Sequence, residues 1–309
     1  MKKYIPPLIA LALLACDKND TTLDFTAALE RELGVKATSS PLGGAGVFFE
    51  NIAYASGERQ QLDILLPAAN ASKGLVIFFH GGGFTGGDKN NAFDEYLAET
   101  MQTILDNDIA IASANYTLIT TAGNQGVLSA LEDGDAAIDF LRAQLSTLEI
   151  PTNKIVLVGV SAGAGIAQWN GFQSANNAQV QGVVALAAQS SYNLYEWENV
   201  FPGFSLDALR QLSPALQALF LQFYNGEPTP EELTNLDYRG FMDASDPPLY
   251  VYNTAGDEVL DAQGELDFDV LYHSYRHSDY LRQQAIAVGQ PFSGVFQERP
   301  EEFVLRVLE

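Results

Sequence analysis

Between Lys154 and Trp169 the chain reads KIVLVGVSAGAGIAQW, which sets Ser161 between two glycines as Gly159-Val160-Ser161-Ala162-Gly163. The motif follows a short apolar run and leads into a helix-like stretch of small residues. In so tight a strand-to-helix turn, a side chain at either glycine would strike neighbouring backbone, and the turn presents the serine hydroxyl at the end of the sheet. The serine would also stand at a helix N-terminus, where free N–H groups favour developing negative charge. A second motif, His80-Gly81-Gly82-Gly83-Phe84, follows the apolar run GLVIFF. Three consecutive glycines leave backbone N–H groups bare and able to point at an oxyanion, while His80 fits a role in propping the loop better than one in proton transfer. A phosphate-binding loop would continue into G-K-[ST], which is absent. Taken together, the two motifs describe acyl transfer through a serine. The other two of the chain's three histidines, His273 and His277, lie in YHSYRHSDYLRQQA.

Such motifs need a rigid frame. GLVIFFH, AIASANY, KIVLVGV, QGVVALAA and PPLYVYNTAG are short continuous apolar runs, as expected of strands buried on both faces. Between them VLSALEDGDAAIDFLRAQL places Leu131, Ala137, Ile138, Leu141 and Leu145 along one helical face. Strands alternating with such helices predict an α/β fold with a mostly parallel sheet flanked by helices. FFENIAYA and QLDILLP, separated by the turn-prone SGER, predict an antiparallel hairpin ahead of it. Residues 189–246 are too many for an ordinary connection and read as a helical cap insertion, rich in aromatics such as Tyr192, Trp197, Phe204, Phe220 and Phe223. Those aromatics either pack the insert onto the sheet or line an apolar substrate pocket.

With 309 residues and 47% hydrophobic content, the chain can bury a sizeable core, which argues against disorder. Its formal charge of −23 repels nucleic acid and anionic lipid headgroups. The carboxylates are dispersed, without the close spacing of a cation loop, and Cys16 is the only cysteine, so no disulfide or thiol-based metal site is expected. The opening MKKYIPPLIALALLAC has the build of a secretory signal over residues 1–15, and its apolar run is too short to span a bilayer. Leu13-Leu14-Ala15-Cys16 resembles the lipobox of bacterial lipoproteins, in which the cysteine becomes the acylated first residue. That resemblance implies export across the inner membrane and anchoring of Cys16 to a bacterial membrane, on the periplasmic face or at the cell surface, with membrane contact through the lipid. Residues 16–46 read as a tether and 47–309 as the folded domain.

From about Asn51 to about Gly289 the chain resembles serine esterases of the α/β-hydrolase superfamily, and within them the HGGG-bearing group of hormone-sensitive-lipase-like and feruloyl or acetyl-xylan-esterase-like enzymes. The likeness rests on HGGG, on GVSAG, on IAYASGERQQLDILLP as an opening hairpin, on IASANYTL as a strand end, and on ALEDGDAAIDFLR as the helix before the nucleophile strand. Thr117 stands where the group usually has arginine. The resemblance implies a small-molecule ester substrate, no metal or organic cofactor, and the chain order serine, acid, histidine. Ser161 is then the nucleophile, with the N–H groups of Gly82, Gly83 and Ala162 as the oxyanion hole. Asp257, the first carboxylate beyond the strand PPLYVYNTAG, fits the acid, with Glu258 and Asp261 as competitors. In the family the histidine normally follows one more strand, yet nothing after His277 is a histidine. The base is therefore expected at His277, on the inward face of a helix SDYLRQQAIAV, with His273 close behind. Two other readings remain open at this point: a degenerate member that binds a ligand without turnover, and a peptidase on the same fold.

Overall fold

Six-residue runs without a single exposed side chain make the centre of the sheet. The computed structural model describes the backbone from residue 18 and side chains from residue 25, apart from 69–70, 174–176 and 260–265. Its strands are β1 (Ala37–Ser39), β2 (Val47–Ala53), β3 (Gln61–Leu66), β4 (Gly74–Phe79), β5 (Ile109–Ala114), β6 (Ile155–Val160), β7 (Val180–Leu186), β8 (Leu249–Tyr252) and β9 (Phe292–Gly294). They form one sheet in the order β1-β2-β3-β5-β4-β6-β7-β8-β9. The pairings from β5 through β9 are parallel, whereas β1, β2 and β3 join antiparallel, so the expected hairpin is β2–β3.

Alternate residues of each central strand point to opposite faces, and each face has its own core. Leu75, Ile77 and Phe79 of β4 enter one, and Val76 and Phe78 enter the other. The helices in chain order are α1 (Lys18–Leu33), α2 (Glu95–Asp106), α3 (Val127–Gln144), α4 (Ala162–Gly171), α5 (Trp197–Val200), α6 (Leu206–Leu212), α7 (Pro214–Tyr224), α8 (Pro230–Leu236), α9 (Phe268–His273), α10 (Tyr275–Val288) and α11 (Pro300–Leu308). Helices α3, α4 and α10 and the α6–α8 part of the insert pack on the first core, α2 and α11 pack on the second, and α5 joins Phe201 and Leu271 in a small third cluster. Short helices of the insert are fixed at their starts by side chains. Ser213 caps α7 ahead of Pro214, and a Thr229–Glu232 capping box opens α8.

The stretch expected to be a tether is folded from Lys18 onward. α1 drops Leu29, 1% exposed, into the first core with Phe25, Leu33 and Val35 packed around it, and β1 pairs with β2 from Ala37↔Phe49 to Ser39↔Val47. The signal segment and Cys16 lie outside the described residues.

Candidate active site

Strand β6 ends at Val160 and α4 begins at Ala162, so Ser161 alone makes the turn, at φ 52° and ψ −117°. A left-handed backbone on a residue with a Cβ costs about 1–3 kcal/mol and persists only where its surroundings enforce it. Here they do. A Cβ on Gly159 would run into the Gly163 carbonyl, and one on Gly163 would meet the carbonyl of Phe79 on the neighbouring strand. The Ser161 N–H donates to the Leu186 carbonyl at 2.8 Å, which ties the turn to β7.

The glycine loop lies directly alongside. Gly82 takes φ 114°, where a side chain would collide with the Gly86 carbonyl, and Gly83 takes φ 59°. The N–H groups of Gly82, Gly83 and Ala162 donate to no group among the described residues. His80 is fully buried and stacks on Tyr116 with ring centroids 4.3 Å apart. Its Nδ1 bonds the Gly81 carbonyl at 2.6 Å, which leaves Nε2 to accept from the Arg59 guanidinium at 3.2 Å. Desolvation pulls its pKa down to about 4, so the ring is a neutral brace. Arg59 also reaches the carbonyls of Tyr116 and Gly87, at 2.9 and 3.0 Å. Nothing in the SGER turn marks this arginine in the sequence, because its partners come from distant parts of the chain.

Ser161 Oγ lies 2.9 Å from His273 Nε2, and His273 Nδ1 lies 2.8 Å from Asp269 Oδ1. Both partners of the serine come from the six-residue α9, four residues apart on one face. Asp267 starts that helix by accepting from the N–H groups of Asp269 and Val270. The carboxylate at Asp269 fixes the tautomer with the proton on Nδ1, which leaves Nε2 free to accept the serine proton. Asn253, just beyond β8, donates to the carbonyls of His273 and Ser274 at 3.1 and 3.0 Å and also bonds Ala188, so it moors the end of α9 to two strand ends.

His277 and Asp257 are placed elsewhere. Ser274 (φ −54°, ψ 144°) breaks the helix between the two histidines and caps α10 by accepting from the Arg276 N–H at 3.2 Å. His277 therefore starts a separate helix and turns into the small third cluster made by Trp197, Val200, Phe201 and Leu271. It is fully buried, with Nε2 donating to the Leu271 carbonyl at 2.9 Å, Nδ1 accepting from Ser190, and Trp197 and Phe201 against its ring. Desolvation pulls its pKa down to about 4, and its bonds show no line to Ser161. Asp257 accepts from Arg276 at 2.7 Å and from the Tyr275 hydroxyl at 3.2 Å, bonds that hold its carboxyl below the ordinary range. Among the described residues none of its hydrogen bonds reaches an imidazole. Asp261 lies outside the described residues. Nothing in the sequence singles out Asp269, because D-x-x-x-H inside a short helix looks like any surface pair.

Next to Ser161, Ala162 and Gly83 a cavity of about 280 Å³ opens between the glycine loop, α9 and the insert. Phe84, Tyr192, Phe220 and Phe223 form part of its wall, and these rings meet edge to face at centroid distances of 4.9 to 6.0 Å through Tyr224 and one another. Among the described residues, no three His, Cys, Asp or Glu side chains converge as a metal site would require.

A mostly parallel sheet with helices on both faces and the serine on a strained turn after its central strand is the α/β-hydrolase fold. The BD-FAE family model matches residues 62–271, more than half of the chain, and the chain belongs to that family, an esterase family of the α/β-hydrolase type. No curated protein matches the sequence. Solved structures share the fold at low identity. A truncated carbohydrate esterase from gut microbiota is 16% identical with a TM-score of 0.62, over 84% of this chain and 96% of that one. Esterase B from Lactobacillus rhamnosis, in an inhibited form, is 15% identical with a TM-score of 0.60 over 94% of each chain. The propionate-bound esterase Est2 of the planctomycete Thermogutta terrifontis is 16% identical with a TM-score of 0.53, over 80% and 81%.

Proposed function

We propose that this protein hydrolyses carboxylic esters through a serine nucleophile. Ser161 Oγ attacks the ester carbonyl while His273 Nε2 takes its proton, and the tetrahedral oxyanion is held by the N–H groups of Gly82, Gly83 and Ala162. His273 then gives the proton to the departing alkoxide, which leaves an acyl-Ser161 ester. Water enters, loses a proton to the same nitrogen, and attacks the acyl carbon; collapse returns the proton to Ser161 and releases the acid. Asp269 orients the ring and stabilises the imidazolium at each stage. This reading places the base at His273 rather than His277 and the acid at Asp269 rather than Asp257.

The observation that supports it most is the pair of hydrogen bonds in series, Ser161 to His273 at 2.9 Å and His273 to Asp269 at 2.8 Å, beside the N–H groups of Gly82, Gly83 and Ala162, which have no partner among the described residues. Labelling by a fluorophosphonate probe tests it, since phosphonylation requires an activated serine. The wild type is expected to label, and Ser161→Ala and His273→Ala are expected not to. An unreactive wild type would leave a binding protein on a hydrolase fold, and turnover of aminoacyl amides in preference to esters would make it a peptidase.

For its cellular place we propose acylation at Cys16, supported by the signal-like run that precedes it. Cys16→Ser should move the protein from the membrane to the soluble fraction, and a variant that stays with the membrane refutes the anchor.

A further inference from the structure

The cavity beside Ser161 has mostly apolar walls. Phe84 of the glycine loop, Leu209, Leu216, Phe220 and Phe223 of the insert, and Leu271 of α9 surround it. Among the described residues the one charged residue in its lining is Arg210, and each of its nitrogens is already engaged. Nε donates to Gln217 at 2.8 Å, Nη1 to the Tyr195 hydroxyl at 2.9 Å and Nη2 to Glu227, while the guanidinium lies 3.8 Å from the centre of the Phe220 ring. A cation so neutralised offers little to a carboxylate on a substrate. Three further polar groups of the wall are turned to protein partners as well. The Tyr192 hydroxyl donates to the Ala162 carbonyl, the Trp197 indole to the Ser191 carbonyl, and the Gln189 amide to the Tyr272 carbonyl.

The two sides of the reacting ester face different surroundings. Ser161, Ala162 and Gly83 stand in the cavity wall, and His273 does not. The leaving alkoxide must rest against His273 Nε2 to receive its proton, and that side is open: His273 is a quarter exposed, and Asp269 beyond it is 77% exposed. The acyl chain, on the other side of the carbonyl, is the part that enters the cavity. Leu219 and Phe268, in the wall and 39% and 38% exposed, carry the apolar lining out to solvent, so the chain is not capped at its far end.

We infer that the cavity is an acyl-chain site, so that the preferred substrates are esters of uncharged, apolar carboxylic acids longer than acetate, with little selection on the alcohol. The inference rests on the roles proposed above for Ser161 and His273. Its test is the purified enzyme on p-nitrophenyl acetate, butyrate, hexanoate and octanoate below their aggregation limits, followed by ethyl, butyl and hexyl butyrate. Each methylene that enters apolar surroundings should raise kcat/KM about threefold to fourfold, whereas lengthening the alcohol should change it by less than roughly threefold. Leu209→Trp and Leu216→Trp, which fill the cavity from two different helices, should each lower the octanoate-to-acetate ratio at least about tenfold. That ratio is read within one preparation and does not depend on the folded fraction. A flat acyl profile, a rise with alcohol length in its place, or a monosuccinate ester as the fastest substrate would overturn the acyl-site assignment while leaving a serine esterase. Hydrolysis of no ester at all would overturn both readings.

Discussion

His273 and His277 stand four residues apart, the spacing that puts two side chains on one helical face, and the chain sends them in opposite directions. The cause is Ser274, whose extended backbone ends one helix and caps the next. A serine is common inside helices as well as at their starts, so the break is not legible in HSYRH, and a continuous helix makes the inward-facing His277 the natural base. The turn around Ser161 and the glycine loop were legible for the opposite reason: a side chain at Gly82, Gly159 or Gly163 would strike neighbouring backbone. The acid is where the two assignments diverge most sharply in experiment. Asp269→Asn keeps the shape but lets the imidazole adopt the wrong tautomer, and kcat should fall roughly ten- to a thousandfold, less than for a buried acid because water can partly replace an exposed carboxylate. Asp257→Asn loosens an ion pair at the surface and should leave kcat within about threefold. If the Asp257 variant proves the more damaged, the strand-end carboxylate is the acid after all.

Among the elements, the sheet was readable because its strands are short unbroken apolar runs, and the insert because it exceeds any ordinary connection. Helix α1 was not. It contributes Phe25, Leu29 and Leu33, a stripe one residue wide amid polar side chains, too narrow for sequence alone to separate a docked helix from a solvated one. Its placement makes Leu29 a core residue far from the chemistry. Leu29→Ala should destabilise the fold by about 2–4 kcal/mol, seen as a lower urea midpoint with unchanged slope, and should leave kcat unaltered at temperatures where the protein is folded. No loss of stability would mean that α1 does hang free as a tether.

At the scale of the molecule, burial of neutral imidazoles couples folding to pH. His80 and His277 titrate in the folded protein at about 4, against 6.5 for an ordinary histidine. Below pH 6.5 the unfolded chain takes up protons that the folded one refuses, so the stability these two contribute is complete above that pH and is lost as pH falls toward 4. Asp246 works in the other direction: desolvation lifts its carboxyl to about 6, a contribution present below the ordinary 3.8 and lost as pH rises through 6. Relief of the −23 charge also favours the fold in acid, but it acts equally on a variant. The sensitive measurement is therefore a difference. Urea unfolding of wild type and His277→Gln should give a stability gap that narrows between pH 7 and pH 4.5, and a gap that widens would show His277 to be charged in the fold. Helix α9 has a consequence of another kind. Because Asp269, the proposed orienting carboxylate, and His273 ride on one helical turn, fraying of that turn would remove both together. The proposed relay would then act as a single fuse, intact or open, held at one end by the Asp267 cap and at the other by Asn253.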